Sequence, residues 1–456
     1  MQELGRKHKE VLDREWYAEF QEYGSFQAYE YFDGYKDARE QTRQSFLSGE
    51  VQNPTLDYPK LNEADLLDKE RALVALKKEV LEREPNEIVK QVYRWRINEK
   101  LAEVRMMKAA ASGDMHRFAR YSEFVYGKPS TEIFTYTVSS IRSKAEKSLA
   151  SENQDEQEAA QALLDMLPVP ETETSFTLPS KLDQEEAIKE TEKLTNNLIT
   201  IPEGLENANA QEIHDAFTYA LQQLEVEGWN VIIEDDSSKT TVSVNQEMKQ
   251  VTIPASRAAS VKKLSELIVH EIGTHVARRE AGERSKLLLL GLGLDRYEGG
   301  EEGVATMREQ AFAGKVLDFS GLDGHLAISL AKGLDGTKRD FRETYSVLYA
   351  YNYWNQLRLK KSKEVAEKRA QEISWTRTVR TFRGSDAKTP GACFTKDIIY
   401  REGNMGVWNV IRTNPSELAR FQVGKYDPSN ERHLWVLDQL EISDSDLEEL
   451  ATEPKE

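Results

Sequence analysis

The chain has 456 residues, 39% hydrophobic and 31% charged, with a formal net charge of −18 that argues against a nucleic-acid surface and against broad attraction to acidic membranes. Its length suits two or three domains, or one catalytic domain with a large helical elaboration. A single cysteine, Cys393, excludes an internal disulfide framework and suits a reducing cytoplasm, and no apolar run is long enough to cross a membrane.

The opening stretch, Met1 to Lys7, lacks the apolar core of a signal peptide, so a cytoplasmic location is expected. Residues 1–50 are rich in aromatics, with Trp16, Tyr17, Phe20, Tyr23, Phe26, Tyr29, Tyr31, Phe32 and Tyr35, and their spacing fits a helix or two docked on the body. From Ala64 to about Ser112 the apolar positions Leu66, Leu67, Leu73, Leu76, Val80 and Leu81 predict long helices, continued from Met115 to Gly127. His116 in that stretch reads as a surface or packing residue. Residues 151–171 are acidic and then interrupted by Pro168 and Pro170, which predicts an exposed excursion or hinge. Three regions follow: an aromatic-rich helical segment over 1–50, a helical region over 51–200 and a catalytic region over 201–456.

After a helix around His214 to Leu224, three β-rich stretches occur at Trp229–Ile233, Thr240–Val244 and Gln250–Ile253, the last two separated by Asn245-Gln246-Glu247 as in a hairpin. A small sheet thus precedes the most telling motif, His270-Glu271-Ile272-Gly273-Thr274-His275. Its histidines stand at i and i+5 rather than the i and i+4 of the usual zinc-protease helix. On an ideal α-helix five steps leave side chains roughly 140° apart, too far to share an ion. A local widening to i→i+5 bonding brings them back to within roughly 50°, so the spacing predicts a π-distorted helix, with Gly273 where a deformable backbone is needed. Leu264, Leu267, Ile268, Ile272 and Val276 supply the apolar face, and Gly282 a stop.

A catalytic zinc takes three protein ligands and keeps one open position. Glu301-Glu302-Gly303-Val304-Ala305 offers the third donor at the start of a second helix after a Gly299-Gly300 break, and spacing alone does not choose between Glu301 and Glu302.

Together the two motifs resemble the family of the microtubule-associated tyrosine carboxypeptidases and the bacterial proteins named for a Gln-Glu-Gly-Leu-Ala motif, here with Val304 in place of Leu. Asn53-Pro54-Thr55, Tyr126-Gly127-Lys128-Pro129, Arg383-Gly384 and Phe394-Thr395-Lys396-Asp397 with Tyr400 and Gly403 look like its landmarks, so the resemblance spans roughly residue 50 to the C-terminus. It implies an α+β, predominantly helical fold with a gluzincin-like metallopeptidase core, the small sheet before the metal helix and a large helical N-terminal elaboration. It also implies that His270, His275 and Glu302 bind Zn2+ and that Glu271 is the general base. Zinc would acidify a water, Glu271 would take its proton, and the water would attack the peptide carbonyl. In such folds a sheet edge beside the site receives the substrate backbone, a role read here onto Val251–Pro254.

The C-terminal third is read as a mixture of helices, such as Phe341 to Arg369, with loops rich in arginine, aromatics and glycine, where Arg377, Arg380 and Arg383 cluster before Gly384 and Gly403-Asn404-Met405-Gly406 forms a turn. Arg380, Arg383, Lys396 and Tyr400 are candidate contacts for a substrate carboxylate, since guanidinium binds one through paired hydrogen bonds. The reading is a zinc carboxypeptidase removing a bulky, Tyr- or Phe-like residue from a peptide or protein C-terminus. An aminopeptidase or endopeptidase of the same chemistry, or a non-catalytic zinc-binding regulator, is the alternative. Tubulin's acidic tail is not the favoured substrate of so acidic a chain.

Overall fold

The computed structural model of the protein describes residues 11–24, 26–32, 36–170, 172, 174–201, 204–235, 241–246 and 248–443. Over these it is mostly helical with two small sheets, and no helix is long and apolar enough to cross a membrane. Helices Glu63–Arg83 and Glu87–Ser112 start at Asn62 and Asn86, whose side chains accept the first free backbone N–H groups, and Pro85 separates them. Their apolar faces share a core with Trp16, Phe20, Phe26 and Phe32 of the aromatic segment and with Leu287–Leu294. Asp13 fastens that segment: its carboxylate accepts the N–H groups of Leu288 and Leu289 at 2.8 and 3.0 Å and the Tyr93 hydroxyl at 2.8 Å. Tyr35 and the Met1–Lys7 stretch lie outside the described residues.

Several local expectations are corrected. The acidic stretch after Ser151 is largely a packed helix, Gln154–Met166, because its Ala159, Ala160, Leu163 and Leu164 face helix Phe341–Arg358, while Asp155 and Glu156 occupy its first turn. The long C-terminal helix is two helices, Phe341–Arg358 and Lys363–Phe382, broken where Lys360 takes a left-handed φ of 61° and Ser362 caps the next element. Arg377 and Arg380 belong to that second helix and Arg383 caps it, so the arginines are helical rather than looped.

Two glycine signals were also misread. Gly299 and Gly300 sit inside helix Glu298–Phe312, and Gly403 and Gly406 inside helix Ile398–Thr413. They permit contact rather than a turn: a Cβ on Gly403 would stand 1.9 Å from the Gly299 carbonyl oxygen, and one on Gly303 would stand 2.4 Å from that of Gly403. The two backbones therefore touch, at the cost of poor helix formers in both interiors. That crossing sets Glu298 and Glu302 beside Lys396 and Tyr400.

The three-stranded sheet has Gln250–Pro254 in its centre, parallel to Asn230–Glu234 (Val231 opposite Val251) and antiparallel to Ser243–Asn245 (Val244 opposite Val251). Val251 and Thr252 are paired on both sides and so offer no free edge for a substrate backbone as expected, while Ile253 and Pro254 are paired with Ile233 and Glu234 on one side. Ser243–Asn245 is the outer strand that packs against the motif helix; Thr240 and Glu247 lie outside the described residues.

Candidate metal centre

Helix Val261–Leu267 runs directly into a π-helical segment, Ile268–Val276, and on into helix Ala277–Glu283. The i, i+5 spacing predicted this distortion, and it brings the rings of His270 and His275 to 5.0 Å between centroids. Side chains hold the widened turn. Thr274 Oγ1 donates to the Val269 carbonyl five residues back at 3.0 Å, and Arg308 Nη1 donates to the Gly273 carbonyl at 3.1 Å. Gly273 is closely packed, since a Cβ there would stand 3.2 Å from Thr195 Cγ2, tighter than ordinary contact.

Each histidine is oriented by a carboxylate. Glu301 Oε1 lies 2.8 Å from His275 Nδ1, and Glu309 Oε2 lies 3.3 Å from His270 Nδ1. An ionised carboxylate only accepts, so each Nδ1 carries a proton, and Nε2 is the nitrogen whose lone pair a cation would take once the imidazole is neutral. Donor atoms of His270, Glu271 and His275 fall within 4.8 Å of one another, the group of metal-capable donors found among the described residues. Glu302, on the facing helix and outside that group, has Oε2 3.7 Å from His270 Nε2.

Glu301 is otherwise engaged. It is buried, and besides His275 it binds Arg278 Nη1 at 2.5 Å and Lys425 Nζ at 2.8 Å. The two adjacent acids are placed differently: Glu301 braces His275 and Glu302 faces His270. Glu309 and Lys425 were not identified from the sequence. Glu309 lies one helical repeat beyond Glu302 on the same face, a signal that could have found it; Lys425, 124 positions from Glu301, left no local signal.

The electrostatics follow. Burial opposes a charge on His270, but the bond to Glu309 and the nearby Glu271 and Glu302 outweigh it and lift its pKa to about 9. Burial would raise Glu309 too, yet His270 and Lys263 bring it down to about 2. Glu271 is pushed up by burial, with Glu302 and Glu309 adding and the two histidines opposing. Burial likewise works to raise Glu301, but Lys425, Arg278 and His275 hold it well below the usual carboxylate range. Four acids thus surround two imidazoles: Glu301 is paired with Arg278 and Lys425 and Glu309 with Lys263, which leaves Glu271 and Glu302 as the acids a divalent cation would balance.

The expected carboxylate contacts lie to one side of this cluster. Arg380 gives Nε and Nη2 to Asp397 at 2.6 and 2.8 Å, Arg377 gives Nη1 to the same acid at 2.9 Å, and Arg383 Nη2 is 3.9 Å from it. Arg383 is buried and packs against the Phe394 ring. Lys396 is buried between the rings of Tyr29 and Tyr400, at 4.8 and 5.4 Å. Burial would lower its pKa, but Tyr400, Glu298, Asp397 and Glu302 raise it further.

Fold and site together define a helical protein built around a candidate metal centre on a π-distorted helix. Residues 363–445 match the family model described as microtubule-associated tyrosine carboxypeptidase, the family that the two motifs resemble. The matched stretch carries Arg380, Arg383, Lys396, Tyr400 and Lys425, and follows the His270–Glu302 motifs in the chain. No curated protein and no solved structure matches the chain.

Proposed function

We propose that the protein is a zinc-dependent carboxypeptidase acting on a peptide or protein C-terminus, with His270, His275 and Glu302 as metal ligands and Glu271 as general base. The observation that carries this reading is the paired bracing of the imidazoles: Glu301 and Glu309 occupy both Nδ1 atoms, which leaves both Nε2 atoms to a cation. Two imidazole nitrogens and a carboxylate are a usual donor set for catalytic zinc, so the residues present fit that ion. When bound, zinc supplies Lewis acidity and lowers the pKa of a water. Glu271 stands beside a proposed ligand, and burial with Glu302 and Glu309 shifts its carboxyl upward, the direction that makes it a better proton acceptor. A purely structural zinc would have no use for it. The family description supports a tyrosine-removing activity and hence a bulky C-terminal residue. With a net charge of −18, a short peptide end is preferred to tubulin's acidic tail.

The test is zinc content by elemental mass spectrometry, with hydrolysis of tyrosine-ending peptides measured alongside. Near-stoichiometric zinc lost in His270→Ala and Glu302→Ala, but kept in an inactive Glu271→Gln, is expected. No zinc even after resupply would overturn the metal assignment, and unchanged turnover in Glu271→Gln would overturn the base.

A further inference from the structure

Resting on the peptidase reading, the structure separates the candidate carboxylate contacts. Asp397 accounts for Arg380, whose forked edge it takes, and for an Nη of Arg377, whereas Arg383 stands 3.9 Å off and packs its guanidinium on the Phe394 ring. A guanidinium already paired in this way has lost the geometry for a second bidentate carboxylate. Lys396 differs. Its side chain is only 8% exposed, yet among the described residues its ammonium makes no hydrogen bond, and Glu298 Oε2, at 4.0 Å, is beyond bonding distance. A buried ammonium is costly unless it finds an acceptor. The rings of Tyr29 and Tyr400 stabilise it through their faces and leave its three N–H donors uncommitted.

Position fits the chemistry. Lys396 lies close enough to Glu302 to feel its charge, as does Tyr400, across the glycine contact of the two helices. Tyr29 comes from the 3-10 turn Ala28–Phe32 of the aromatic N-terminal segment, which is anchored by Ala28 N–H donating to Glu103 at 2.9 Å.

We propose that Lys396, held between Tyr29 and Tyr400, is the anchor for the free α-carboxylate of the substrate, and that the N-terminal segment completes this subsite through Tyr29. Arg380 then builds the wall through Asp397 and does not hold the substrate end.

The experiment uses the zinc-loaded, full-length Glu271→Gln protein, so that binding is read without turnover. The probes are an acetylated tetrapeptide ending in tyrosine and its C-terminal amide, compared by calorimetry. The free acid should bind about ten- to a hundredfold more tightly, the weight of one charge-assisted hydrogen bond. Adding Lys396→Met should bring the acid-to-amide ratio close to one with zinc content unchanged, Lys396→Arg should restore part of it, and Tyr29→Ala should reduce it. Discrimination that survives Lys396→Met overturns the anchor and leaves the peptidase reading intact. Binding of neither peptide overturns both.

Discussion

Glu301 and Glu302 are neighbours in the chain, yet Glu301 lies 2.8 Å from Nδ1 of His275 while Glu302 lies 3.7 Å from Nε2 of His270. One helical step, about 100°, separates the brace from the proposed ligand.

The two acids should therefore fail differently. Glu302→Gln is expected to abolish stoichiometric zinc. Glu301→Gln should keep zinc with affinity reduced roughly 10- to 100-fold, the usual effect of removing a group that orients a ligand. It should also destabilise the fold by about 3–5 kcal/mol, because Lys425 and Arg278 lose their buried counter-charge. Chelator competition and denaturant melts of both variants test this, and the reverse pattern would exchange the two roles.

The glycine contact makes a second prediction. A methyl at position 403 would lie 1.9 Å from the Gly299 carbonyl, whereas one at position 406 meets nothing nearer than Ser429 Oγ at 3.0 Å. Gly403→Ala should cost about 3 kcal/mol or more through forced separation of the helices, and Gly406→Ala well under that. Equal melting temperatures would refute the close crossing.

These cases show what the sequence carries and what it hides. The π distortion was legible because two metal-binding side chains at i and i+5 have one simple geometric remedy, and the long helices because their apolar residues recur locally. The helices around Gly299 and Gly403 were not, since glycine marks both a turn and a close contact, and only the partner helix decides. The arginine cluster looked free because its acid, Asp397, follows after a further chain reversal. Val251 looked like an edge because strand order is a property of the assembled sheet.

Asp13 sets a pH dependence. Burial raises its pKa from 3.8 to about 6 in spite of hydrogen bonds from Leu288, Tyr93 and Leu289. A folded-state pKa above the unfolded one means that the contribution is fully present below pH 3.8 and is lost as pH rises through about 6. The shift corresponds to about 3 kcal/mol. The stability of the protein relative to Asp13→Asn should thus fall by about that amount between roughly pH 4 and pH 7. A flat difference across that window in paired denaturant titrations would show that this carboxyl does not titrate there.

Arg308 permits a test in which stability and function move apart. Its guanidinium is fully buried, donates through Nη1 to the Gly273 carbonyl, and leaves Nε and Nη2 without hydrogen-bond partners among the described residues. Burial, with the nearby Arg278, lowers its pKa to about 10, the mark of a charge held at a cost. What it supplies is a donor for a carbonyl that regular i→i+4 pairing no longer satisfies in the widened turn. Arg308→Met removes the buried charge and should leave global stability unchanged or higher, as replacement of a poorly compensated buried ion by an apolar side chain often does. The same change removes the Gly273 contact, so the segment should relax toward an ordinary α-helix and carry His275 away from His270, toward the roughly 140° separation of an i, i+5 pair. Zinc affinity should fall at least about tenfold while the melting temperature holds. A parallel loss of both would make Arg308 a simple core residue, and a loss of neither would mean that Thr274 alone maintains the π turn.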